Sequence, residues 1–221
     1  MDAGIVVQGH GITAPEASLP VQPARPTNIP RTVFHVGAAA VAITAVLVLP
    51  SRAWLVAIPG AFAVYAWSME GARRVSPRVN EALMRLYARI AHPQERHRVN
   101  SATWFATALV ILAVTATRPA MLAAAAILGV ADPIAGIVGR RWGKRRFQNG
   151  RSLEGAAAFF LAGTIAASIA LGVLTAANPT AVVALAASCA FAAAFTELAL
   201  SRLDDNLMIP LVAGAVASLG G

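Results

Sequence analysis

The chain has little charge. Only 13% of its 221 residues are Asp, Glu, Lys or Arg, while 57% are hydrophobic. Soluble domains average about 25% charged and about 45–50% apolar residues. With a mean hydropathy of +0.65, an ordinary water-soluble fold is excluded. Cysteine is almost absent as well. Cys189 stands alone in an apolar run, which excludes both a disulfide framework and a cysteine metal cage. The four histidines, His10, His35, His92 and His97, form no ligand pair on a helix face, so no metal site is expected from them. Acids are scarce too: 10 Asp+Glu face 18 Lys+Arg, for a formal net charge of +8. In a soluble protein that excess would point to nucleic acid. In a chain this apolar it is first a membrane-topology signal, and no nucleic-acid polymer is expected as a partner.

Residues 1–30 hold five of the 13 prolines and no apolar periodicity, and we expect a disordered tail there. No basic segment followed by a short apolar core marks a signal peptide. From residue 31 to 221 we expect a single all-α transmembrane domain. A helix crossing about 30 Å of hydrocarbon needs about 20 residues. The candidate spans are Val33–Pro50, Ala53–Met69, Ser101–Thr117, Pro119–Val138, Glu154–Ala177, Pro179–Leu200 and Asn206–Leu219. These continuous runs lack the alternation of a barrel strand.

Seven crossings place loops 70–98 and 140–151 on one side, with 16 of the 18 basic residues there and only Arg52 and Arg118 opposite. The positive-inside rule then puts the N-terminus in the cytoplasm. Within the first basic loop, Leu83, Leu86, Tyr87 and Ile90 share a helical spacing, as expected of an amphipathic surface helix or a plain connector.

Ionisable groups inside spans cost roughly 2.5–3.5 kcal/mol each on insertion scales, so they are functional candidates. Asp132 and Glu197 are the two that stand out. Gly136, Gly139 and Gly143 follow Asp132 on one helix face, where a strip without side chains admits either a phosphate chain or a neighbouring helix. Lys144 and its arginine neighbours come next. In Arg151-Ser152-Leu153-Glu154, Ser152 is placed to cap the fifth span, with Glu154 in its first turn. Asp204-Asp205-Asn206 joins the last two spans at the same level. Oxygen ligands beside lysine and arginine suit a magnesium–nucleotide site. The Gly139–Lys144 segment is one residue short of a P-loop, and no zinc-protease, nucleophile-elbow or dinucleotide motif occurs.

The run from Asp132 through Ala135, Gly139 and Gly143 to Lys144, followed by Arg151-Ser152-Leu153-Glu154-Gly155, resembles a shared signature of CTP-using membrane lipid enzymes. These include the dolichol, phytol and diacylglycerol kinases and the phosphatidate cytidylyltransferases. Glu197 with Asp205-Asn206 and Pro210 resembles an element of the kinase branch, and Arg31, His35, Glu70 and Arg73 resemble weaker features of it. The late histidine-containing motif of the cytidylyltransferases has no counterpart here. Ala131 stands where the family often has glycine, and Arg151 where lysine is common.

The resemblance implies an integral multi-pass enzyme, phosphorylating a polyprenol- or dolichol-like lipid alcohol at the cytoplasmic face. CTP would be the phosphoryl donor and Mg²⁺ the cofactor. The membrane would be the plasma membrane in a prokaryote or the endoplasmic reticulum in a eukaryote. It further implies that Asp132 and Asp205 hold the metal or that one of them is the base, a choice the spacing leaves open. Lys144 and Arg151 would neutralise phosphate, with Gly136, Gly139, Gly143, Ser152 and Asn206 lining the nucleotide. Glu154 and Glu197 would complete the catalytic shell. The alternatives are CMP transfer to a lipid phosphate, and a transporter or membrane scaffold. Removing Lys144 should cost more activity than removing Arg146, which lies off the glycine face.

Overall fold

The structure, a computed structural model, describes residues 29–88, 98–147, 149–199 and 203–220. Among these residues the chain is helical, with a single isolated bridge between Arg146 and Ser152 as its only β-type pairing. The helices are α1 (Ile29–Val48), α2 (Arg52–Val75), α3 (Pro77–Leu86), α4 (Ser101–Thr115), α5 (Arg118–Ala126), α6 (Asp132–Trp142), α7 (Leu153–Leu174), α8 (Pro179–Ala199) and α9 (Asp205–Gly220). A π-helical turn, Ile127–Ala131, joins α5 to α6.

Each of the seven expected spans overlaps one helix or, for Pro119–Val138, the joined α5–α6 rod, although Val33–Pro50, Ser101–Thr117 and Glu154–Ala177 run two or three residues past the ends of α1, α4 and α7. Four of these rods are long and apolar enough to cross a membrane: α1, the joined rod Arg118–Trp142, α7 and α8. The other three differ for physical reasons. With 24 residues α2 has the length, but it carries Arg52, Glu70, Arg73 and Arg74. With 15 and 16 residues, α4 and α9 reach about 22–24 Å at 1.5 Å per residue.

The expected boundaries also shift in places. The first helix starts at Ile29, so Pro30 belongs to its opening turn, where a missing N–H costs nothing. The rest of the expected tail lies outside the described residues. The helix expected there, amphipathic or connecting, is α3; it ends at Leu86, and Ile90 lies outside the described residues.

The α5–α6 rod is central, with α1, α4, α7 and α9 around α5 and α8 closing the far side against α7 and α9. Alanine dominates the core: Ala123, Ala124 and Ala125 are fully buried. Small residues let backbones approach, which drives helix association where lipid removes the hydrophobic force. A Cβ at Gly163 of α7 would lie 3.1 Å from Ala190 and 3.4 Å from Ala131, so three rods meet there.

Polar contacts mark two levels of the bundle. At one, Arg31 of α1 donates to Ser101 of α4 (3.0 Å), and Ser101 donates to Asp204 before α9 (3.2 Å). Asn100 N–H donates to Glu70 of α2 at 2.9 Å. At the other, Arg52 donates to the carbonyls of Val114 and Ala116, and Arg118 to those of Val46 and Leu49. Those carbonyls end α4 and α1, so both arginines satisfy groups that a helix C-terminus leaves unpaired.

Candidate active site

Asp132 is positioned by a break in the helical ladder. Pro133 has no N–H for the carbonyls of the preceding turn, and the chain widens into the π turn just before it. The Leu128 carbonyl is bonded instead by His35 Nε2 of α1 at 3.1 Å. The same nitrogen lies 3.7 Å from Asp132 Oδ2. This approach depends on Gly129, where a side chain would collide with Ala39, one helical turn beyond His35.

Arg151 forms the centre of the charge cluster. Its guanidinium pairs with Glu197 Oε1 of α8 at 2.8 Å and with Asp205 Oδ2 of α9. Its backbone is fixed too: Arg151 N–H donates to Asn149 Oδ1 at 3.1 Å, and Asn149 donates to the Leu198 carbonyl at 3.0 Å. Gly150 takes φ +79°, a left-handed turn that favours glycine. Glu197 is buried, and a charge so placed requires an opposite charge beside it, which Arg151 supplies. Asp132 lies within electrostatic reach of Asp205. Asp204, not Asp205, caps α9: its carboxylate accepts from Asn206 N–H (3.0 Å) and from the Asn206 side chain (2.9 Å).

The glycine strip divides into two functions. A Cβ at Gly139 would lie 3.0 Å from Ser152 Oγ, and one at Gly143 would lie 2.6 Å from it. Ser152 in turn caps α7 by accepting from Gly155 N–H at 3.0 Å, as expected. Gly139 and Gly143 therefore face the α7 N-terminus, and close helix packing accounts for their missing side chains. Gly136 is different. Arg140 folds back over it, with Nη1 3.1 Å from the place a Cβ would occupy. This brings a guanidinium onto the face that carries Asp132.

Arg146 has a structural task. It donates to the carbonyls of Gly139 (3.0 Å) and Gly150 (3.2 Å), so it closes the loop and is no neutral control for Lys144. Lys144 itself is exposed. Glu154 accepts from Arg145 N–H at 3.4 Å and so secures the same loop.

Thus Asp132, Arg151, Glu197, Asp205 and Asn206 gather at one level, with Lys144 in the adjoining loop and Ser152 and Glu154 at the start of α7. The motifs alone did not single out Arg140 or Ser101. The four-residue steps from Asp132 to Gly136 to Arg140 were the available signal for the first. Among the described residues no three His, Cys, Asp or Glu side chains form a metal cage. Magnesium commonly needs only one or two carboxylates beside phosphate and water. Asp132, one-third exposed, fits that role, whereas Asp205 is engaged by Arg151.

An apolar cleft of about 510 Å³ opens beside the cluster. It lies between α1, α2 and α4, and Arg31, His35, Asn206 and Ser101 close its polar end. Near that end Arg73 donates to Glu70 (2.8 Å), a buried carboxylate, and to Asn80 (3.2 Å). Searches of family models, curated proteins and solved structures return no match to this chain.

Proposed function

We propose that the protein is a multi-pass membrane kinase that moves the γ-phosphoryl group of CTP onto the hydroxyl of a polyprenol-like lipid. One observation carries the reading: Arg151 of the first motif pairs with both Glu197 and Asp205 of the second. Two sequence elements about 50 residues apart thereby form one charged site beside an apolar cleft. The resemblance of those motifs supplies the nucleotide and the reaction class.

In this proposal the lipid oxygen attacks the γ-phosphorus, the bond to the β–γ bridging oxygen breaks, and CDP leaves. Asp132 accepts the hydroxyl proton, and His35, 3.7 Å away, orients the carboxylate. Lys144, Arg140 and Arg151 offset phosphate charge, the main task in phosphoryl transfer. Glu197 holds Arg151 in place. Mg²⁺, when bound, would be held by Asp132 or, with Asp132 as the base, by Asp205 released from Arg151, and would neutralise charge on the phosphates. Seven crossings with a cytoplasmic N-terminus put this site on the cytoplasmic face.

Purified protein in lipid vesicles is incubated with a polyprenol and either γ- or α-labelled CTP. Lipid labelled from the γ position alone is the expected result. Label from the α position would mean cytidylyl transfer. Label from neither would remove both chemistries and favour a transporter or scaffold.

A further inference from the structure

The cleft is polar at one end only. Along α1, its lining below His35 is apolar down to Leu49, including Ala38, Val41 and Ala45. On α2 it is apolar from Leu55 to Met69 apart from the Tyr65 hydroxyl. Phe34, Val41, Ile58 and Phe62 line it yet remain about half exposed or more, so the cleft opens sideways between α1 and α2. The 18 residue steps from Arg31 to Leu49 correspond to about 27 Å at 1.5 Å each. That nearly matches the about 30 Å of both leaflets together.

We infer that this cleft binds the hydrocarbon chain of the acceptor as a single long isoprenoid chain. The hydroxyl lies among Arg31, His35 and Asn206, and the chain enters laterally between α1 and α2. The occupant rests on the lipid-kinase reading; the site rests on shape and polarity. A slot deeper than one leaflet, with one small polar end, suits one long chain with a hydroxyl head. A two-tailed lipid of single-leaflet depth fits it poorly. The polar end is continuous with the charge cluster, because His35 belongs to both. Acceptor selection is therefore by chain length, read through the filling of the deep end near Ala45 and Ile58.

Undecaprenol carrying a diazirine at its far end is photolysed with the intact protein in phosphatidylcholine vesicles, and the adducts are mapped. Adducts between residues 41 and 62, displaced by undecaprenol but not by added phosphatidylcholine, are expected. Adducts on the outer faces of α7 and α8, near Ile165 and Phe191, would overturn the site, as would displacement by phosphatidylcholine. Ala45→Trp should reduce labelling and undecaprenol phosphorylation at least about 10-fold, leaving farnesol phosphorylation within about 2-fold. Equal losses on both alcohols would overturn length selection. Should the variant fail to fold, the mapping on the unaltered protein decides the site alone. Deep-end labelling without phosphorylation of any alcohol would strike down the kinase reading and leave the chain site standing. Phosphorylation with adducts elsewhere would do the reverse.

Discussion

Asp132 illustrates how one residue acquires its setting from several weak local choices. Pro133 removes an N–H, Gly129 admits α1, and His35 takes up the Leu128 carbonyl while facing the acid. The acid itself was legible in the sequence, because a carboxylate inside an apolar run is costly enough to be informative. Its partner was not, since His35 lies 97 positions away and only the fold brings it to 3.7 Å. Asp132→Asn keeps the shape and removes the charge. If Asp132 takes the hydroxyl proton, turnover should fall at least about 10²-fold. Insertion and folding should persist, because neutralising an embedded acid relieves its desolvation. Turnover is measured with γ-labelled CTP, and a normal rate would return Asp132 to a tolerated carboxylate near a helix end.

At the scale of elements, the loop from Gly143 to Ser152 holds both packing and charge, and sequence spacing distinguishes them poorly. The glycines of the motif suit a phosphate path as well as a helix crossing; Ser152 against Gly139 and Gly143 identifies a crossing for those two. The six basic residues of loop 140–151 were equally ambiguous, and the structure gives them different tasks. Arg146 bonds two carbonyls and Arg151 pairs with two carboxylates, while Lys144 is exposed. Two substitutions should therefore part company. Arg146→Ala loses two charge-assisted hydrogen bonds, and should lower Tm in detergent by several degrees. Lys144→Ala should leave Tm in place and lower kcat/KM for CTP by roughly 10–150-fold, the value of one charge-assisted bond to phosphate. Thermal unfolding and steady-state kinetics on both variants check this. Equal small kinetic effects with equal Tm would make the loop a topology anchor only.

For the whole molecule, hydropathy marked seven rods correctly in position, yet only four satisfy length and composition together. The shortfall has a physical source. Charge in α2 and the brevity of α4 and α9 weaken a hydropathy signal that packing does not need. A bilayer can also thin locally around short rods at modest cost. The internal geometry is what a seven-crossing arrangement would need. Glu70 at the end of α2, Asn100 and Ser101 at α4, and Asp204 at α9 belong to the level of Arg31. Arg52, Arg118 and the carbonyls they bind belong to the opposite one. Cysteines placed at Phe147 and Asn178 cannot decide the matter, since four crossings by α1, the α5–α6 rod, α7 and α8 leave both where seven would. Leu86 and Leu219, both exposed, do decide it. With seven crossings, a membrane-impermeant maleimide should label Leu86→Cys from the cytoplasm together with Phe147→Cys. Leu219→Cys should be labelled from outside together with Asn178→Cys. The buried native Cys189 keeps the background low. Labelling of Leu219→Cys from the cytoplasmic side would reduce the crossings to an even number. Asp205, at the start of α9, would stay beside Arg151 on the cytoplasmic face, but the two levels of the bundle would no longer coincide with the two faces of the membrane.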